Sequence, residues 1–185
     1  MIAPPRKARD LRLIDAIDKF KRERFTGTVW RVTREGRDPT LGAPSTTRWC
    51  NGTFDVLYAS LAEQGALAEM HALLAMQPVF PSKLRFFLHR LFVRTSQVLR
   101  LPDLEILATL GVDTARYGER DYQRTQEIAD AAYFLGFDAL IARSARWDCL
   151  NAVLFTERAR PDEIGVVKTN PDPIDWSSWR RRRRR

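Results

Sequence analysis

Apolar positions change their spacing several times along the chain, and each change marks an element. Between Arg9 and Phe25, Leu11, Ile14, Ile17 and Phe20 recur near helical spacing, with Asp10 in the first turn and Gly27 as a stop just beyond. This predicts an amphipathic helix. Thr28–Thr33 is β-branched and aromatic and reads as a strand. Gly36, Asp38-Pro39, Gly42 and Pro44 make 34–46 a loop. A short strand is expected over Thr46–Cys50, a tight turn at Asn51-Gly52, and another strand over Phe54–Tyr58. Ser60 stands three residues before Glu63, the spacing of a capping box, so a helix should start there. It should end near Met76, because Pro78 forces the residue before it out of the helical region.

The second half reads in the same way. Leu84–Val93 and Ser96–Leu101 are expected as strands, the first also open to a helical reading. Asp103 caps a short helix to Leu110, closed by Gly111. Residues 112–120 form a loop, and Asp121–Leu135 a helix with Ile128, Ala129, Ala132 and Tyr133 on one side and Gly136 at its end. Phe137–Ala142 is an apolar strand, Arg143–Leu150 a loop and Asn151–Phe155 a last strand. Helices and strands do not alternate regularly, and no repeat is visible, so the class is α+β: a mixed sheet core with flanking helices. The expected organisation is an N-terminal arm (residues 1–8) and helix over 1–27, a catalytic domain over 28–157, and a polar extension over 158–185 ending in an arginine run.

Composition narrows the function. A chain of 185 residues is one domain, with tails. No apolar run approaches the ~20 residues of a membrane span, and the N-terminus lacks the apolar stretch of a signal peptide. A cytoplasmic protein without membrane contact is expected. The net charge of +8 suggests a nucleic-acid binder until it is located: Arg180–Arg185 carry six of those charges, so the body is nearly neutral. Such a block of like charge is expected to stay solvated and disordered. Cys50 and Cys149 form no disulfide framework and are expected as buried free thiols. His71 and His89 have no ligand-spaced partner, so no metal is expected, and no Ser-His-Asp arrangement is visible.

Glu69 is the residue that asks for chemistry. It borders the apolar arc of Ala62, Ala66, Met70, Leu73 and Leu74, where a carboxylate needs a partner or a task. Arg31 and Arg48 lie on adjacent predicted strands, and two guanidinium forks suit a pyrophosphate. Tyr58 offers a face to an aromatic ring. A carboxylate can hold a ribose hydroxyl and stabilise positive charge developing on the sugar. Pyrophosphate, aromatic ring and ribose describe a dinucleotide. A Rossmann hydride-transfer site is not expected, since no glycine fingerprint follows a strand. Taken singly, each residue also has a plain reading: Arg31 on a strand surface, Arg48 in an ion pair, Tyr58 in the core, Ser144 capping a turn.

Taken in order, these pieces form a pattern: Val29-Trp-Arg31-Val, Thr47-Arg48-Trp49-Cys-Asn51-Gly52, Val56-Leu-Tyr58-Ala-Ser60 with Glu69, then Ala142-Arg-Ser144-Ala-Arg146 ahead of Asn151-Ala-Val-Leu-Phe155. The pattern resembles the RES domain, the toxin half of a bacterial toxin–antitoxin pair, over about Thr28 to Phe155. One departure is Cys50, which stands between Arg-Trp and the asparagine. The resemblance implies the compact split sheet of ADP-ribosyltransferase-like toxins. It also implies NAD as substrate, consumed by hydrolysis or phosphorolysis or used to transfer ADP-ribose to a protein. Arg31 and Arg48 would bind phosphates, Tyr58 would position the nicotinamide end, and Glu69 would support the ribosyl cation. Ser144 would bond the ribose or the nicotinamide amide, and Asn51 would add a polar contact. The implied partner is an Xre-type helix-turn-helix antitoxin, which alone would touch nucleic acid. A homodimer stays among the options. The competing readings are an ADP-ribosyltransferase with a protein target and a non-enzymatic nucleic-acid-binding module.

Overall fold

A computed structural model describes residues 8–183. Most of the arm expected over 1–8 therefore lies outside the described residues, as do Arg184 and Arg185. The architecture is mixed α+β, as expected. Its centre is a six-stranded sheet in the order β1 (Glu23–Arg34), β4 (Val56–Ser60), β7 (Leu150–Phe155), β6 (Ala139–Arg143), β5 (Phe86–Leu101), β8 (Ile164–Thr169). Only β5 and β6 run parallel. β1 also pairs with β5 from Glu23↔Val98 to Arg34↔Phe86, so five strands close on themselves and β8 lies outside the ring.

The two faces of the closed sheet follow from strand alternation. Val29, Leu57, Ala59, Leu91, Val93, Val98, Ile141, Ala152 and Leu154 fill its interior, a cluster made of strand residues alone. The intervening positions Val56, Leu140, Ala142, Val153 and Phe155 face outward. They pack on α1 (Leu11–Asp18), α3 (Leu104–Thr109) and α4 (Gln123–Phe134). On another side α2 (Glu63–Leu74) and α5 (Trp176–Arg183) join Val32, Phe86 and Leu88 in a third cluster.

Several boundaries differ from expectation for physical reasons. The first helix ends at Asp18 rather than near Phe25, because residues from Glu23 onward pair with β5; Gly27 sits inside β1. The strand expected over Thr46–Cys50 is a small hairpin, β2 (Thr46–Thr47) and β3 (Cys50–Asn51), turning at Arg48-Trp49; the chain turns again at Asn51-Gly52, with Gly52 at positive φ, before β4. The capping box does not form: Ser60 ends β4, its Oγ accepts from Ala62 N at 3.3 Å, and Glu63 is the first helical residue. Leu84–Val93 and Ser96–Leu101 merge into one strand. Its polar middle stays paired because the Asp138 carboxylate accepts from Ser96 N and Gln97 N. Asp103 does cap α3, through Ile106 N at 2.8 Å, and Gly111 and Gly136 follow α3 and α4 at positive φ. Residues 114–116, within the predicted loop, form a 3-10 turn.

The polar segment beyond Glu157 is more ordered than expected. β8 pairs with β5 along His89↔Thr169 to Val93↔Ile164. The arginine run is helical through Arg183, since Trp176 and Trp179 dock in the third cluster and Trp179 Nε1 donates to Gln64 Oε1 at 2.9 Å. Both cysteines are free; Cys50 is buried and Cys149 half-buried. His71 packs among the rings of Phe80, Trp176 and Trp179.

Candidate active site

A hollow of about 510 Å³ opens between β1, β4, the β2–β3 hairpin and α2. Arg31, Arg48, Tyr58 and Glu69 all line it. Its size falls within the range of about 300–1,000 Å³ found for small-molecule sites. Seven arginines contribute to the wall, against one carboxylate, Glu69, among the described residues.

Arg31 is brought in by β1. It is 9% exposed, and Nη1 donates to the carbonyls of Pro39 (2.8 Å) and Leu41 (2.9 Å), so the following loop folds over it. No carboxylate lies in ion-pair range among the described residues. Burial, helped by the nearby charge of Arg37, holds its pKa down to about 10, so it keeps its charge at neutral pH. A buried, unneutralised guanidinium with free edges is a ready anion site.

Arg48 stands at the turn of the hairpin. Its guanidinium lies over the rings of Tyr117 (4.4 Å) and Tyr122 (4.8 Å), and Nη2 donates to Glu119 O at 3.1 Å. The rings fix its direction without cancelling its charge. Burial lowers its pKa from the ordinary value and raises that of Tyr117 to about 12. Arg48 forms no ion pair with a carboxylate among the described residues, in contrast to its plain reading.

Tyr58 supports that hairpin from β4. Its phenolic oxygen accepts from Thr47 Oγ1 at 2.5 Å and Trp49 N at 2.8 Å, on either side of Arg48. Burial pushes its pKa well above the usual phenol value, so it stays neutral. Gln126 of α4 adds Nε2 bonds to Thr47 O (2.8 Å) and Cys50 O (3.1 Å).

Glu69 reaches the hollow from α2, whose buried residues Gly65, Ala66, Leu67, Ala68 and Leu74 include three small ones. A Cβ on Gly65 would lie 2.3 Å from Ser60 Oγ and 2.4 Å from Cys149 Sγ, so glycine is what lets the helix approach β4. Ser144 does not line the hollow; it is 6% exposed and its Oγ donates to Glu69 Oε1 at 2.6 Å. Arg146 N and Trp147 N donate to that Oγ (3.1 and 3.2 Å), which aims its proton at Glu69.

Asn51 is not part of this group. Its Oδ1 accepts from Thr53 N (3.1 Å) and Thr53 Oγ1 (2.7 Å) in a local turn outside the hollow. The asparagine that does reach Glu69 is Asn151, whose Nδ2 donates to Oε1 at 2.8 Å. The sequence signal for it was only its place at the head of a strand. Register beside Ser60 and Ala142 brings it here, and that pairing is long-range. Tyr117 and Tyr122 were missed because their rings meet Arg48 only through long-range packing.

His89 lies in β5, where its Nε2 bonds Thr33 Oγ1 (2.9 Å) and its Nδ1 bonds Thr169 Oγ1 (2.8 Å). Among the described residues no group of three or more His, Cys, Asp or Glu is placed to hold a metal ion. Nor is any helix there long and apolar enough to cross a membrane.

Fold and site together define a mixed-sheet α+β domain with one carboxylate in an arginine-walled hollow. The sequence model of the RES domain matches residues 28–177, and the chain belongs to the RES domain family. Its fold is similar to that of a chain in the crystal structure of the M. tuberculosis MbcT–MbcA toxin–antitoxin complex. The TM-score is 0.78 at 19% identity, over 95% of this chain and 99% of that one. None of the curated proteins matches the sequence.

Proposed function

We propose that the protein cleaves NAD at the nicotinamide–ribose bond, as the toxin of a toxin–antitoxin pair acting in the cytoplasm. The observation that carries this reading is the placement of Glu69, fixed by Ser144 and Asn151, in one hollow with Arg31 and Arg48. The two guanidinium groups suit the pyrophosphate. Glu69 supplies negative charge where the ribose becomes oxocarbenium-like. Nicotinamide leaves a cationic ring as a neutral molecule, so no general acid is needed, and the lone carboxylate suffices. Water or inorganic phosphate completes the reaction at the sugar carbon. Tyr58 shapes the wall and holds the Arg48 turn.

Membership of the RES family and the similarity to a toxin–antitoxin chain support the pairing with an antitoxin, here a helix-turn-helix protein of Xre type. An arginine-walled opening suits an acidic or carboxylate-ended segment of such a partner. Purified protein should release nicotinamide from NAD, and comparison with and without phosphate identifies the acceptor. Expression should lower cellular NAD, and co-expression of the partner should prevent this. Modified protein in mass spectra without bulk NAD loss would instead make a protein side chain the acceptor. No nicotinamide release under any of these conditions would refute the reading.

A further inference from the structure

Glu69 has two carboxylate oxygens, and the protein treats them differently. Both side-chain donors, Ser144 Oγ at 2.6 Å and Asn151 Nδ2 at 2.8 Å, reach Oε1. Among the described residues no hydrogen bond reaches Oε2. Neither donor can turn away. Ser144 Oγ accepts from two backbone amides, which turns its proton toward Glu69 as the nearest carboxylate. Asn151 is 9% exposed, and turning its amide over would set Oδ1 against a carboxylate oxygen.

The orientation of Asn151 has a cost that reveals its role. With Nδ2 on Glu69, Oδ1 is buried and has no hydrogen-bond partner among the described residues. A buried acceptor without a partner weakens the folded state. The bond from Nδ2 to the Glu69 charge holds the amide in this orientation against that cost. We propose that Asn151 is a positioning residue that, together with Ser144, pins Oε1 of Glu69 and leaves Oε2 as the oxygen presented to the ligand. The inference deepens the reading of this hollow as an NAD-cleaving site and rests on it.

Three readouts test it. Asn151→Ala should lower kcat for nicotinamide release by about tenfold to a hundredfold, the scale of one hydrogen bond to a charged group, with KM nearly unchanged. Its melting temperature should stay close to the parental one, since the orphaned acceptor goes with the side chain. Asn151→Asp should behave differently. A protonated aspartic acid can donate O–H where asparagine donates N–H; an ionised one sets two carboxylates face to face. Its kcat relative to the parent should therefore rise as pH falls from 8 to 5, while the ratio for Asn151→Ala stays flat. A flat ratio for Asn151→Asp, or parental kcat in Asn151→Ala, would overturn the proposal.

The third readout is independent of activity. In a crystal structure of Asn151→Ala, Glu69 should occupy more than one rotamer. A single unchanged rotamer would overturn the clamp even if the parent protein proved not to cleave NAD. Parental cleavage of NAD combined with an unmoved Glu69 would sink only the clamp and leave the function standing.

Discussion

The charge of Arg31 is held in place by two carbonyls rather than by an acid, which makes the choice of arginine specific. A lysine has the charge but not the planar fork that serves Pro39 O, Leu41 O and a ligand together. Arg31→Lys should raise KM for NAD by about tenfold or more, the scale of a lost charge-assisted hydrogen bond, with a smaller change in kcat. Parental steady-state constants would remove Arg31 from the phosphate site. His89 makes a prediction about pH. Burial, with a smaller contribution from the Arg31 charge, lowers its pKa below the ordinary 6.5. The folded state thus resists protonation, and the unfolded chain binds the proton first. This contribution to stability is complete above pH 6.5 and is lost as pH falls below it. Urea melts at pH 7 and 5 should show the loss, and His89→Gln should reduce it. Residue chemistry was legible where type narrows the choice: Arg31, Arg48 and Glu69, singled out by charge and pattern, do line one hollow. Asn51 and Asn151 show the limit. They are chemically identical, and only strand pairing places the second beside Glu69.

Elements deliver these residues, and their approach distances matter as much as their types. α2 carries Glu69 close to β4 because Gly65 has no side chain. Gly65→Ala should force the helix outward, cost about 1–3 kcal/mol as overpacking does, and reduce catalysis through displacement of Glu69. Denaturant midpoints and turnover, measured together, check both effects; an unchanged midpoint would show that the contact relaxes freely. Helices with strong end signals, α3 and α4, were read nearly to the residue, since Asp103 and the two terminal glycines act locally. The turn at Asn51-Gly52 was legible, since Gly52 takes a positive φ and Asn51 bonds Thr53 locally; the second turn at Arg48-Trp49, held by Tyr58 and Gln126, was missed. β8 was missed because Val166 and Val167 remain half-exposed on an outer strand with little apolar pattern.

For the molecule as a whole, the closed sheet brings the consecutive elements β1, the hairpin and α2 to one hollow with Arg143, Arg146 and Asn151 from the far half of the chain. Closure is also why the class could be read but not the topology: alternation shows which face a residue takes, not which strand lies beside it. The C-terminal segment belongs to this assembly. Trp176 and Trp179 are buried in the cluster shared with α2, so removing residues 174–185 should destabilise the protein by about 3 kcal/mol or more and lower its melting temperature. Replacing only Arg180–Arg183 with glutamine should leave that temperature nearly unchanged, since Arg180–Arg182 are exposed. The central claim is that Glu69 acts on a substrate held by the arginines, and a paired measurement on Glu69→Gln addresses it most directly. Calorimetric binding of NAD and nicotinamide release should be compared with the parent protein. The expected result is binding within a few-fold of the parent, with release reduced by about a hundredfold or more. Glu69→Gln that binds NAD and releases nicotinamide at the parental rate would contradict the account.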